Sequence, residues 1–274
     1  MTEFFQVLAG QAFLQYAFAA GLLASLGCGV MGTFVVVRRI AFLAGGIAHA
    51  VLGGMGAALY FDLPPLLGAI VAALAAAIII GMVSLRAREH EDTLIGAIWA
   101  VGMAVGVLFI SRTPGYNSEL MSYLFGNILM VTGGDLLLML ILDLFLALVV
   151  GVFFRQLQAV TFDEEFSRLR GLPAELIYLL MLCLAALTVV LLIRVVGLIL
   201  VIALLTLPAA VAGHWTGSLG RMMGLATLVG AAVTTGGLAI SYGPDLPAGA
   251  TIILLAGGVF IASTLVRKLR LRRG

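Results

Sequence analysis

The chain has 274 residues, of which 63% are hydrophobic and 10% charged, with a formal net charge of +2. A soluble domain carries about 25% charged and 45–50% apolar residues, so a soluble globular protein is excluded, and disorder, coiled coil and collagen fail on the same figures. The net charge is too small to suggest a nucleic-acid partner, and Cys28 and Cys183, both inside apolar runs, offer neither a disulfide framework nor a cysteine zinc cluster.

A membrane-crossing helix needs ~20 mostly apolar residues. Nine stretches qualify, at 12–36, 41–60, 64–85, 93–111, 133–154, 174–193, 196–212, 222–241 and 248–266. Their apolar runs are continuous, with none of the period-two alternation of a strand barrel. The fold expected is therefore all-α, a polytopic transmembrane helix bundle.

The first span follows Met1-Thr2-Glu3-Phe4, which lacks the basic start of a cleaved signal peptide, and it ends at Arg38-Arg39. The second carries His49 about 12 Å from its start at 1.5 Å per residue, which is mid-membrane depth. An ionisable group there marks either a functional site or a hydrogen-bonded packing residue. Imidazole is a borderline nitrogen ligand that suits zinc and manganese. His90, within Arg88-Glu89-His90-Glu91-Asp92, reads as a solvated loop residue. The loop Ser111-Arg112-Thr113-Pro114-Gly115-Tyr116-Asn117-Ser118-Glu119 is polar and turn-rich, a connector or a surface for an external partner. A short apolar stretch at 120–131 has the length of a half-helix. Asp143 lies near the middle of the fifth span, and bonding to a neighbouring helix competes with a place on an ion pathway.

The segment Thr161-Phe162-Asp163-Glu164-Glu165-Phe166-Ser167-Arg168-Leu169-Arg170-Gly171-Leu172-Pro173 predicts a short amphipathic helix over 162–171. Thr161 and Glu164 have capping-box spacing, acidic residues fill the first turn and arginines the last. Phe162, Phe166 and Leu169 share one face, and Gly171 is placed to end the helix with positive φ. Such a helix either rests on the membrane or docks into another protein; its acidic first turn disfavours an anionic lipid surface. Arg194 interrupts two apolar runs just before Gly197, and if these are one broken element the span count is eight rather than nine. Pro208 is expected to kink its helix. His214 with Trp215 reads as an interfacial anchor. Ser241-Tyr242-Gly243-Pro244-Asp245-Leu246-Pro247 is a second turn-rich connector.

With the N-terminus outside, 13 of the 15 basic residues fall on the inner side, leaving only Arg112 and Arg194 outside. The expected C-terminus is therefore cytoplasmic. No GxxxxGK[ST] loop, HExxH or Ser-His-Asp pattern is present, so neither ATP hydrolysis by a phosphate-binding loop nor any named catalytic chemistry is expected on this chain.

Several stretches, taken in order, resemble a known family. They are Val35-Val36-Val37-Arg38-Arg39-Ile40-Ala41-Phe42, Ile47-Ala48-His49-Ala50, Asp92-Thr93-Leu94-Ile95-Gly96 and Ser122-Tyr123-Leu124-Phe125-Gly126. Val196-Gly197-Leu198-Ile199-Leu200-Val201 follows, running into Leu207-Pro208-Ala209-Ala210, and then Pro247-Ala248-Gly249-Ala250. Along nearly its whole length the chain resembles the membrane permease subunit of bacterial and archaeal ABC importers for zinc, manganese or iron. The resemblance implies one permease domain over 1–274 in a prokaryotic plasma or inner membrane, paired with a second copy of itself. It further implies a cytoplasmic ATP-binding subunit, which alone holds ATP, and an extracellular or periplasmic metal-binding protein. The chain would carry no covalent cofactor, only a transported divalent metal ion.

In the larger importer class a cytoplasmic helix with a Leu-x-Gly-like corner docks on the ATPase. Leu169-Arg170-Gly171-Leu172 fills that place, which makes Phe162, Glu165, Phe166, Leu169 and Gly171 the implied coupling residues. Members often carry an Asp four residues before the His of the second span, where this chain has Gly45. Some zinc-type members also have a His in the fourth span, where this chain has Ala100 or a neighbour. The metal is thereby left open. The rival class, a stand-alone ion-coupled secondary transporter, needs paired intramembrane carboxylates, and only Asp143 is central here.

Overall fold

The computed structural model describes residues 10–86, 91–113, 124, 126–244 and 246–271. His90, the loop 114–119, most of 120–125 and the C-terminal Gly274 lie outside the described residues. Within them the chain is helical and contains no strand. The helices are α1 (Ala12–Arg38), α2 (Ala41–Tyr60), α3 (Pro65–Arg86), α4 (Glu91–Arg112), α5 (Gly133–Phe162), α6 (Glu164–Leu169), α7 (Ala174–Gly213), α8 (Leu219–Tyr242) and α9 (Ala248–Leu271). An apolar segment in lipid must satisfy its own backbone, which only a helix or a closed barrel achieves. Arginines close α1, α3 and α4, where positive charge complements the carbonyl ends of the helix.

Among the described residues eight helices are long and apolar enough to cross a bilayer. The stretches at 174–193 and 196–212 form the single element α7, broken at Gly197 with φ 77° and ψ 168°. That dihedral region is accessible to glycine almost alone. The broken-element reading of the Arg194–Gly197 segment is therefore correct, and it leaves Val201–Gly213 as a short apolar helix. The break falls at Gly197, while Pro208 sits inside helical backbone. Between 126 and 131 the chain makes a 3-10 turn, Ile128–Met130, capped by the Asn127 side chain, which accepts from the Leu129 N–H at 3.2 Å. These residues are thus not α-helical. The fifth helix runs eight residues past the expected 154, to Phe162.

Contacts group the chain into two units. The first comprises Met1–Val36, Ser122–Phe145 and Leu191–Gly274. Here a Cβ on Gly32 would lie 2.0 Å from the Leu205 carbonyl oxygen, and one on Gly237 would lie 2.6 Å from the Ile252 Cα. Ser25 donates to the Gly21 carbonyl at 2.6 Å and lies 3.2 Å from the Thr234 hydroxyl. The second unit comprises Val37–Met121 and Leu146–Val190. There α2 presses on α4 through Gly53 and Gly56, whose added Cβ atoms would fall 2.8 Å and 2.7 Å from the carbonyls of Gly102 and Gly106. Small residues at this spacing let membrane helices approach closely.

Candidate functional site

Helix α6 has six residues and is fixed at both ends. Its N-cap is Asp163, in extended backbone, whose carboxylate Oδ1 accepts the Phe166 N–H at 2.8 Å. The expected cap at Thr161 is not made. Because α5 continues through Phe162, the Thr161 hydroxyl donates back to the Leu157 carbonyl at 2.6 Å. Only Asp163 separates the two helices. At the other end the Gly171 N–H donates to the Arg168 carbonyl at 2.9 Å and the Leu172 N–H to the Ser167 carbonyl at 3.0 Å. This is a complete Schellman closure, and Gly171 has the positive φ it requires, 79°.

The helix has two dissimilar faces. Glu164 and Ser167 are buried. Phe162, Phe166 and Leu169 are 64%, 51% and 86% exposed, and Glu165 is also exposed. The Arg170 guanidinium lies 4.8 Å from the centre of the Phe166 ring. The sequence-predicted residues Phe162, Glu165, Phe166, Leu169 and Gly171 thus stand together around one exposed, mostly apolar corner.

The inward face meets charge. Arg38 donates from NH1 to the Val160 carbonyl at 3.1 Å and from NH2 to Glu164 Oε2. Arg168 donates to Glu164 Oε1 at 3.0 Å and lies 3.3 Å from the Glu175 carboxylate. The Arg38 guanidinium also sits 5.4 Å above the Tyr178 ring, and the Tyr178 hydroxyl is 3.3 Å from that of Ser84. Of these residues Arg38, Glu164, Tyr178 and Ser84 line a cavity of about 570 Å³ beside α6. Sequence reasoning took Arg38 as a topology signal and part of a family stretch, and Glu164 as a capping residue; nothing local marks them as partners.

His49 is 8% exposed and its Nδ1 has no hydrogen-bond partner among the described residues. Its ring is stacked on Trp99, with centroids 4.0 Å apart and planes at 10°, and Phe42 lies 6.2 Å beyond Trp99. Trp99 was missed from sequence, since one aromatic in an apolar span carries no signal of its own. Asp143 is 1% exposed, and among the described residues neither carboxylate oxygen has a hydrogen-bond partner. The bond to a neighbouring helix, one of the two readings of Asp143, is therefore not made among the described residues. His49 and Asp143 belong to different units. Among the described residues no group of three or more His, Cys, Asp or Glu side chains could hold a metal ion.

His214 follows the end of α7. Its Nδ1 lies 2.9 Å from the Ser263 hydroxyl, which also accepts the Trp215 indole N–H at 2.9 Å. Arg270 covers the Trp215 ring at 5.0 Å. Burial, and then the nearby Arg267 charge, push the His214 imidazole below its ordinary pKa.

Residues 10–267 match the ABC 3 transport family. A probable metal transport system membrane protein of Chlamydia pneumoniae is 42% identical over 257 residues, covering 92% of this chain and 88% of that one. The manganese transport system membrane protein MntC of Halalkalibacterium halodurans is 34% identical over 260 residues, covering 95% and 89%. Among solved structures, PsaBC from Streptococcus pneumoniae in complex with Fab superposes with a TM-score of 0.88 at 32% identity, over 96% of this chain and 94% of that one.

Proposed function

This chain belongs to the ABC 3 transport family, and on that premise we propose that it forms the membrane passage of an ATP-driven importer for a divalent transition metal, with manganese as the first candidate and zinc as the second. It is a transport subunit and not an enzyme. Manganese is placed first because relatives at 34% and 31% identity carry manganese transport names. The whole chain acts as one permease domain in a prokaryotic plasma or inner membrane, N-terminus outside, beside a second copy of itself. A cytoplasmic subunit binds and hydrolyses ATP, and an extracellular or periplasmic protein delivers the metal.

The observation that carries this reading is α6. A six-residue helix is far below the length that is stable alone in water. This one is capped at both ends and anchored through Glu164, yet it holds Phe162, Phe166 and Leu169 out into the surroundings. That is the form of a docking knob for the ATP-binding subunit, with Glu165 beside the apolar face and Gly171 setting the exit of the chain. His49 touches the ion in passage. Its unpartnered Nδ1 is a free ligand position, and a neutral ligand binds weakly enough to release the ion. Asp143, whose carboxylate oxygens have no partner among the described residues, is a second candidate ligand, and Pro208 shapes the short helix that follows the Gly197 break.

The test is uptake into vesicles holding the permease with its ATP-binding subunit and metal-binding protein, with manganese, zinc and iron in competition. The expected result is ATP-dependent uptake led by manganese. Uptake that ignores ATP and follows an imposed proton or sodium gradient would establish the secondary-transporter class instead.

A further inference from the structure

The proposed docking of α6 says where motion enters the permease; the next inference rests on that reading and concerns where the motion goes. Arg38 is the last residue of α1, and the chain turns immediately after it through Arg39, whose φ is 62°. From this position its guanidinium bonds the Val160 carbonyl near the end of α5, pairs with Glu164 on α6 and covers the Tyr178 ring on α7. Glu164 is buried, so removing its cation would leave a carboxylate with neither water nor full pairing, which is costly. The link is also directional. A planar fork can hold the carbonyl and the carboxylate at once in fixed relative geometry, whereas an ammonium on a flexible stem acts as a point charge. Because α6 is too short to hold its place unaided, its inner face moves with the groups that pin it.

We propose that Arg38 is a positioning residue of the transport cycle, carrying displacement of α6 to the inner end of α1 through its pair with Glu164.

The test uses the permease in complex with its ATP-binding subunit, reconstituted in vesicles, and reads manganese taken up per ATP hydrolysed. Arg38→Gln is expected to keep its association with the ATP-binding subunit while uptake per ATP falls about fivefold, the scale of one coupled pair. Glu164→Gln should do the same, and the double variant should be no worse than the poorer single, since both remove one link. Arg38→Lys should recover part of the ratio, because it restores charge without the fork. A structural role alone would lower the amount of folded complex without changing the ratio. If the Arg38→Gln permease does not itself fold into a monodisperse species, Glu164→Gln, a neutral isostere on the opposite side of the link, decides the matter. Wild-type uptake per ATP in either single variant overturns the proposal. So does a double variant whose loss is the product of the single losses. Loss of association in Arg38→Gln also overturns it, by showing that Arg38 only shapes the docking face. Phe166→Asp, run alongside, reports on docking by itself. Normal association in that variant removes the docking reading and this inference with it, whereas impaired association beside a wild-type ratio in Arg38→Gln removes the inference alone.

Discussion

Replacing Gly171 separates backbone geometry from side-chain bulk. An added Cβ at this position meets nothing within 4 Å, so sterics with the rest of the chain contribute nothing. What remains is the dihedral, φ 79°, and the two Schellman bonds that depend on it. A residue with a side chain held in the left-handed region costs roughly 1–2 kcal/mol, Asn and Asp least and β-branched residues most. Part of this is offset because Gly→Ala also restricts the unfolded chain, an effect of about 0.4–1 kcal/mol. We therefore expect Gly171→Asn to be nearly silent, Gly171→Ala to cost about 1 kcal/mol and Gly171→Val about 2 kcal/mol. Those costs displace the corner from its docking geometry by population factors of roughly 5 to 30. The assay is the affinity of the permease, in nanodiscs, for its ATP-binding subunit. Affinity should stay within about twofold for Asn, fall about fivefold for Ala and approach thirtyfold for Val. If Asn weakens binding as much as Val, the positive φ is not what Gly171 supplies and the reasoning fails.

Phe166→Asp puts a charge on the docking face and should abolish copurification with the ATP-binding subunit while the permease still inserts, as seen by membrane fractionation. His49→Ala should lower manganese uptake, and His49→Leu should lower it further by drying the passage; wild-type uptake in the Leu variant at equal expression would make His49 a packing residue. His214 resists protonation when folded, so its contribution is present above the unfolded imidazole pKa and is lost as the pH falls below about 6.5 toward the lower folded value. Wild-type melting temperature should therefore fall more steeply than that of His214→Phe between about pH 7.5 and about pH 5; parallel profiles would contradict this. With the N-terminus outside, the five spans before α6 place it on the cytoplasmic side, so an impermeant thiol reagent should fail to label Leu169→Cys in intact cells, and efficient labelling there would invert the topology.

What could be read in advance is what is local and repetitive. Continuous apolar runs specify membrane helices, because lipid offers the backbone no alternative. A basic residue three positions before a glycine, between two such runs, pointed to the break in α7, and the Arg-Gly-Leu-Pro ending of α6 marked its left-handed corner. What could not be read depends on residues far apart. Arg38 and Glu164 are 126 positions apart, and neither position shows a period that names the other. Trp99 finds His49 across two helices packed through glycines, so its role appears only once α2 and α4 are side by side. The cap of α6 was misplaced by two residues because the end of α5 was. Arg155 and Gln156 lower the hydropathy without disfavouring helix, so the helix outlasts its apolar stretch.

The break at Gly197 also bears on how the protein is made. Val201–Gly213 has thirteen residues, which rise about 20 Å at 1.5 Å each, short of a hydrocarbon core about 30 Å thick. Such a segment does not insert as an independent helix, and its interrupted backbone cannot face lipid. It needs protein neighbours: Gly32 of α1 lies against its Leu205 carbonyl, and Gly126 packs on the Val196–Gly197 backbone itself. These two neighbours precede it in the chain, and Met222, against its terminal Gly213, follows. Biosynthesis from the N-terminus therefore supplies the seat before its occupant, and a circular permutant that begins at α7 should reach the membrane with this segment stranded at the surface.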